Sequence, residues 1–163
     1  MTNREHTQPA ANQGAEPIRT LIVDDSAKWI KVLCGFLKRE PRIRVAGIAG
    51  DGREGIAQIE RLRPALVLLD LRMPRLDGLD TAAILRARFP EVVIVMLSFD
   101  DDEASAERCL AHGAHAFIGK GRASDELLPA IFRLFGGGDT SARTVPGAAQ
   151  FQSARKPKNQ NEP

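Results

Sequence analysis

Acidic side chains follow the first apolar run of the chain, and they are the first candidates for chemistry. The stretch LIVDDS places Asp24 and Asp25 side by side, where their like charges repel. A third carboxylate, Asp70, ends the apolar stretch ALVLLD. Ser98 follows VVIVML, and Lys120 comes two residues after AFI. These five side chains therefore share one position, at or just after the end of a run of strand-forming residues.

Brought together in one crevice, these groups have the chemistry of a phosphoryl acceptor. Three carboxylates would each have a raised pKa unless a cation relieves their repulsion, and oxygen ligands with water suit Mg²⁺. Asp70 can supply the nucleophilic oxygen. Mg²⁺, the Lys120 ammonium and the Ser98 hydroxyl can neutralise the charge on the phosphoryl oxygens, which is most of what phosphoryl transfer demands of a protein.

The elements that must position these side chains alternate along the chain. Short runs rich in Val, Ile and Leu, namely TLIV, IRVAGI, ALVLL, VVIVML and AFI, predict five strands. Strands that alternate with helices form right-handed crossovers, hence an α/β fold with a parallel sheet covered by helices on both faces. Its functional site lies outside the carboxyl ends of the strands. Apolar residues at three- and four-residue spacing predict five helices, beginning near Ser26, Gly52, Gly78, Asp100 and Ser124.

Composition limits the kind of protein. The chain has 163 residues, 43% of them apolar, which is enough for one domain with a real core. Residues 1–16 and 136–163 lack a periodic apolar pattern and are predicted to be flexible tails. A net charge of +2 without a long basic block argues against nucleic acid as a specific partner. No apolar run is long enough to span a membrane, and no signal sequence or cysteine motif occurs, so we expect a soluble cytoplasmic protein.

Four stretches together resemble the receiver domain of bacterial two-component response regulators, and most nearly the receivers of NarL/LuxR-type regulators. They are VDDS, LLDLRMPRLDG, VVIVMLSFDDDE and GAHAFIGK, and the resemblance covers about residues 17–135. It implies a doubly wound, flavodoxin-like fold with strand order 2-1-3-4-5. It also implies a signalling switch that is not an enzyme beyond its own phosphorylation and slow dephosphorylation.

The resemblance assigns roles to the acidic set. Asp70 would be the phosphorylated aspartate, and Lys120 would contact the phosphoryl group. Asp25 and Asp70 would bind Mg²⁺ directly with the backbone carbonyl of Arg72, while Asp24 would act partly through water. The phosphodonor would be a histidine kinase or a histidine phosphotransfer protein. The output would be contact with a downstream protein, with a phosphorylation-dependent homodimer as one form of it.

Further positions would carry the switch and tune its lifetime. By resemblance, Ser98 is the switch hydroxyl and Phe117 the switch aromatic. Phe99 stands where small residues are common, so it would narrow the path for a phosphodonor or for water. Arg72 and Asp100 occupy the two variable positions that tune dephosphorylation, and their opposite charges are able to pair across the site.

Two positions carry more open interpretations. Trp29 lies one turn into the first helix, on the face of Asp25, where it would dock the phosphodonor; core packing is the alternative. Gly121 follows Lys120 where the family often has proline. A cis peptide before Gly121 would lack the relief that proline gives and would cost about 3 kcal/mol.

Three readings of the function remain open from the sequence. The first is a phosphoaccepting receiver, either a stand-alone regulator or phosphate shuttle or the receiver half of a NarL/LuxR-type regulator without its DNA-binding domain. A short polar tail follows the receiver, and no effector domain is expected. The second is a receiver-like binding module that never accepts phosphate because Phe99 blocks access. The third is a haloacid-dehalogenase-type phosphatase, but that family needs a D-x-D nucleophile after the first strand, whereas Asp24 and Asp25 are adjacent.

Overall fold

The predicted α/β fold is confirmed by a computed structural model, which describes residues 16–136. Five parallel strands form one sheet in the order 2-1-3-4-5, as in flavodoxin-like proteins. The strands are β1 (Ile18–Val23), β2 (Ile43–Ala49), β3 (Leu66–Asp70), β4 (Val93–Ser98) and β5 (Ala116–Gly119). The helices are α1 (Ala27–Leu37), α2 (Gly52–Leu62), α3 (Gly78–Arg88), α4 (Glu103–Ala111) and α5 (Ala123–Gly136), with a 3₁₀ turn at Lys120–Arg122 before α5.

Helices cover both faces of the sheet because successive side chains of each strand point to opposite faces. In β3 every residue is buried: Leu66 and Leu68 lie in the core shared with α1 and α5, whereas Val67 and Leu69 lie in the core shared with α2, α3 and α4. A strand buried on both faces needs an unbroken apolar run, which is what made the central strands visible in the sequence.

The start of α4 differs from the prediction. The helix was expected near Asp100, but it begins at Glu103 because the Asp102 carboxylate caps it by accepting a hydrogen bond from the Ser105 amide at 2.8 Å. The other N-caps lie close to the expected positions: the Ser26 hydroxyl accepts from the Trp29 amide, and Asp51 and Asp77 cap α2 and α3. A run of four acidic residues offers several candidate caps, and only the fold selects one of them.

The topology reverses direction at β1, which lies between β2 and β3. A crevice therefore opens beyond the carboxyl ends of β1 and β3, where the loops that follow them diverge. The helix α3 begins close behind this crevice: a Cβ atom on Gly78 would lie 2.2 Å from the carbonyl oxygen of Asp70, so only glycine fits there. Within residues 16–136, no helix is long and apolar enough to cross a membrane. The two predicted tails, 1–16 and 136–163, fall almost wholly outside the described residues.

Candidate functional site

The crevice brings together the three carboxylates that the sequence singled out. Asp24 and Asp25 follow β1, and Asp70 is the last residue of β3. One carboxylate oxygen from each lies within 4.8 Å of the others. Asp24 and Asp70 are buried, whereas Asp25 is exposed at the rim. The strand ends therefore concentrate negative charge at one point, as predicted.

Lys120 supplies the counter-charge from the end of β5. Its ammonium Nζ lies 2.6 Å from Asp24 Oδ2 and 2.9 Å from Asp70 Oδ1, and its side chain is 2% exposed. A buried ammonium persists only if it is paired, and here two carboxylates pair with it. The three buried groups form one unit, called here the Lys120 bridge: Asp24, Lys120 and Asp70.

The environment of Asp70 disfavours its charged form. The pKa of this carboxyl is raised to about 6, chiefly by burial and also by the negative charges of Asp24 and Asp25, while the hydrogen bond and the charge of Lys120 lower it. A carboxylate that is costly to ionise is stabilised by any further cation that reaches it.

The donor set fits Mg²⁺. Asp24 already accepts two hydrogen bonds, from the Ser26 amide at 2.8 Å on Oδ1 and from Lys120 on Oδ2. Asp25 and the second oxygen of Asp70 are left as the carboxylate oxygens best placed to bind a cation directly, with water in other positions. The contact from Ser26 was missed at the sequence level, although an aspartate that accepts from the amide two residues later is a common turn signal.

The predicted switch residues lie on neighbouring strands. Ser98 ends β4, is buried, and its hydroxyl oxygen accepts a hydrogen bond from the Asp100 amide at 3.0 Å. Phe117 of β5 is buried in the core on the α4 side of the sheet, together with Cys109 of α4. Ser98 follows Leu97, the register partner of Asp70, and Phe117 is the register partner of Met96, two residues before Ser98.

Arg72 and Asp100 pair across the mouth of the crevice, as their opposite charges suggested. Arg72 Nη2 lies 2.6 Å from Asp100 Oδ2, and Arg72 Nε donates to the same oxygen at 2.7 Å. The pair connects the loop after β3 with the loop after β4. Beside it, a cleft of about 490 Å³ lies between the β3–α3 loop and α4 and is lined by Asp25, Met73 and Arg108, among others.

Trp29 and Phe99, which the sequence treated separately, lie side by side above Lys120. Their ring centroids are 5.8 Å apart in an edge-to-face arrangement. The Lys120 ammonium is 5.4 Å from the Trp29 ring and 4.9 Å from the Phe99 ring. Nothing in the spacing of residues 70 positions apart indicates this contact. The peptide bond between Lys120 and Gly121 is trans, since no cis bond occurs in the described part of the chain.

Comparison with known proteins agrees with this geometry. A family model described as response regulator receiver domain matches residues 20–132. The chain is 44% identical over 112 residues to a protein-glutamate methylesterase/protein-glutamine glutaminase from Symbiobacterium thermophilum, covering 68% of this chain and 31% of that protein. It is 34% identical over 121 residues to the transcriptional regulatory protein MctR from Rhizobium johnstonii, covering 74% of this chain and 56% of that protein.

The fold also resembles a solved structure. The signal receiver domain of the response regulator NarL from Mycobacterium tuberculosis has a TM-score of 0.70 and 28% sequence identity, covering 76% of this chain and 99% of that one. A doubly wound sheet with an acidic pocket and a buried lysine defines the phosphoacceptor class of signalling domains. The chain belongs to the response regulator receiver domain family, and it acts in two-component signalling.

The family membership confirms the predicted resemblance and argues against the phosphatase reading. A receiver domain is not itself a catalytic domain, which leaves the dehalogenase-type phosphatase without support. The chain spans 31% and 56% of the two curated relatives named above, so what their remaining parts do is not carried over to this chain.

Proposed function

We propose that the chain accepts a phosphoryl group on Asp70 from the phosphohistidine of a histidine kinase or a histidine phosphotransfer protein. The observation that carries this proposal is the Lys120 bridge, which places a buried ammonium 2.9 Å from Asp70 Oδ1 at the end of the central strand β3. A structural ion pair alone would not need a second buried carboxylate, and it would not need the exposed Asp25 beside it.

In the proposed reaction, an Asp70 carboxylate oxygen forms a bond to phosphorus while the phosphorus–nitrogen bond of the donor histidine breaks. The electron pair of that bond stays on the imidazole nitrogen. Asp25 and Asp70 would hold Mg²⁺ together with the backbone carbonyl of Arg72, and the bound cation supplies positive charge for the phosphoryl oxygens. Asp24, whose two oxygens are already engaged, would contribute through water.

Lys120 changes partners in this scheme. Its ammonium donates to both Asp24 and Asp70 before transfer. After transfer, one N–H group of the Lys120 ammonium would donate to a phosphoryl oxygen instead of a carboxylate oxygen. The phosphoryl group carries more negative charge than the carboxylate that it replaces as acceptor. The buried position is therefore an advantage, because a charge-assisted hydrogen bond is stronger where water is excluded.

The signal would start at Ser98. Its hydroxyl now accepts from the Asp100 amide, and it would turn to donate to the phosphoryl group. Phe117 lies in the core under this edge and would adjust with it, changing α4, β5 and α5 and the protein surface that they form. The output would be contact with a downstream protein, including a second copy of the chain, and we expect it to take place in the cytoplasm without specific nucleic acid binding.

The lifetime of the phosphorylated state would depend on the groups at the mouth. The exposed Arg72–Asp100 pair would hinder attacking water, and Phe99, whose ring centroid lies 4.9 Å from Lys120 Nζ, would cover part of the same route. The non-phosphorylated binding module remains the second candidate, because Phe99 lies 4.9 Å from the ammonium that must reach the phosphoryl group. We propose that residues 17–135 form the complete receiver, with residues 1–16 and 136–163 as tails.

Incubation with acetyl phosphate and Mg²⁺ tests the proposal. Intact-mass measurement should show one added phosphoryl group on the parent chain and none on Asp70→Asn. Asp80→Asn is the matched control, because Asp80 is an exposed aspartate in the first turn of α3, away from the three-carboxylate cluster. Labelling of Asp70→Asn at the parent level would refute the assignment. Absence of labelling in a folded, Mg²⁺-binding parent would favour the binding module instead.

A further inference from the structure

The Lys120 ammonium has aromatic rings as well as carboxylates beside it. Asp24 and Asp70 lie 2.6 and 2.9 Å from Nζ. Trp29 and Phe99 both lie within 6 Å of Nζ by ring centroid, the range in which a cation is attracted to an aromatic face. The two rings come from different elements, since Trp29 belongs to the first turn of α1 and Phe99 to the loop after β4.

The Trp29 indole is held by packing and ring contacts, not by a hydrogen bond in the part of the chain that the structure describes. The Trp29 Nε1 atom is buried, and it has no hydrogen-bond acceptor among the residues that the structure describes. A buried donor without an acceptor is unfavourable, so the ring is not positioned by hydrogen bonding. The ring packs against the core shared by α1 and α5, as the core-packing alternative expected, and it also contacts Lys120 and Phe99. Phe99 is 71% exposed, so it forms the outer layer of the arrangement.

We propose that Trp29 and Phe99 form an aromatic clamp that holds the Lys120 ammonium against Asp24 and Asp70 and keeps water from it. Trp29 is then a positioning residue, because it acts on the reaction through Lys120. Phe99 directly follows Ser98, so a backbone movement at Ser98 would also shift one side of the clamp. The consequence for phosphoryl transfer rests on the proposed function of Asp70; the clamp itself does not.

Proton exchange of the lysine ammonium with water measures the clamp without phosphate or metal. Lys120 is the buried lysine of the described residues, since Lys28, Lys31 and Lys38 are exposed. Its Nζ protons should therefore exchange slowly enough to be seen by ¹⁵N NMR at neutral pH. Trp29→Leu keeps an apolar side chain but removes the ring, and it should accelerate exchange about fivefold or more, the factor that a cation–π contact corresponds to.

Two variants separate the clamp from general packing. Trp29→Phe keeps a ring and should preserve slow exchange. Phe132→Leu removes a different aromatic ring, one that lies 3.6 Å from the Arg42 guanidinium on the far part of α5, and should leave Lys120 exchange unchanged. Unchanged exchange in Trp29→Leu would overturn the clamp, and so would equal acceleration in Trp29→Leu and Phe132→Leu at matched thermal stability.

Acetyl phosphate labelling of the same variants then tests the positioning role. We expect phosphorylation of Trp29→Leu to slow about fivefold and that of Phe132→Leu to match the parent. Faster ammonium exchange with an unchanged labelling rate would overturn the positioning role. Faster exchange in a series whose parent does not label at all would uphold the clamp and contradict the proposed function, so the two failures differ in outcome.

Discussion

Two ion pairs of nearly equal length stand beside the same crevice, and their surroundings differ. Lys120 Nζ lies 2.6 Å from Asp24 with both side chains 2% exposed, whereas Arg72 Nη2 lies 2.6 Å from Asp100 with the side chains 71% and 49% exposed. Distance alone would rank them together. The comparison shows that solvent, and not separation, decides what each pair can do.

The exposed pair gains little, because water screens both charges and two long side chains must be held in one geometry; such pairs contribute about 0 to 1 kcal/mol. The buried bridge was assembled at a desolvation cost, so removal of one partner leaves a charge without compensation, which costs about 3 to 5 kcal/mol. The two buried carboxylates of the Lys120 bridge therefore strongly favour a positive charge in the crevice. The Arg72–Asp100 pair can open and close without much effect on the fold.

The largest expected difference is in the free energy of unfolding when the basic residue of each pair is replaced by methionine. Lys120→Met should lower the free energy of unfolding by about 3 kcal/mol at pH 7 without Mg²⁺, because Asp24 and Asp70 stay buried without a counter-charge. Arg72→Met should lower it by less than about 1 kcal/mol. Urea denaturation of both variants in chelator measures the contrast, and equal losses would break the distinction between the two pairs.

Metal binding is expected to depend on the exposed carboxylate at the rim. Asp25→Ala should weaken Mg²⁺ binding about tenfold or more, equivalent to about 1.4 kcal/mol, since Asp25 is a proposed direct ligand. Trp29 is the single tryptophan of the chain, and its ring lies 5.4 Å from Lys120 Nζ, so millimolar Mg²⁺ should change its fluorescence along a saturable curve. A flat titration, in a sample that calorimetry shows to bind Mg²⁺, would exclude Trp29 as a reporter of the site.

The stability of the folded chain should depend on pH through the buried Asp70 carboxyl. The pKa of Asp70 is raised from 3.8 to about 6 in the folded chain, so between these values the folded state binds more protons than the unfolded state. Stability from this group therefore increases as pH falls from 6 to 4 and decreases as pH rises through that window. In chelator, Asp70→Asn should remove this component and be more stable than the parent at pH 7, on the order of 1 kcal/mol after allowance for solvent screening.

Matching slopes of stability against pH for the parent and Asp70→Asn would contradict the assignment of the titration to Asp70. Asp80→Asn again serves as the control, because this exposed carboxyl lies outside the three-carboxylate cluster.

The smallest expected effect concerns the exposed pair, and it is kinetic. Arg72→Ala and Asp100→Ala should each change the hydrolysis rate of the aspartyl phosphate several-fold, about 1 kcal/mol in barrier height, because each opens a path for water. Their stabilities should stay within about 0.5 kcal/mol of the parent. Loss of radiolabel from phosphorylated protein measures the rate, and unchanged hydrolysis in both variants would remove the pair from the lifetime control.

The strands and helices that depend on neighbouring residues were predictable from the sequence. The apolar run before Asp70 and the helix signals after Ser26 and Asp77 each arise from nearby residues, and the parallel topology then brought the strand ends together. The start of α4 was predicted three residues early, because Asp102 wins the capping position only once β4 and its loop are in place.

Contacts between side chains from distant loops could not be predicted in this way. The meeting of Trp29 with Phe99 over Lys120 depends on loop conformation and on the rotamers of three side chains, which no periodicity encodes. The Arg72–Asp100 pair was inferred only because the family resemblance places both residues at variable positions beside the site, where they carry opposite charges.

The sequence separation within the Lys120 bridge has a consequence for biosynthesis. Lys120 donates to Asp24 across 96 positions of the chain, from the first strand to the last. At a synthesis rate of about 5 to 20 residues per second, Asp24 is synthesised roughly 5 to 20 seconds before Lys120. A nascent or prematurely ended chain that stops before Lys120 therefore holds the three carboxylates without this ammonium, and it cannot be phosphorylated in the way proposed. Competence to receive a signal would thus arise only after the whole sheet has been made.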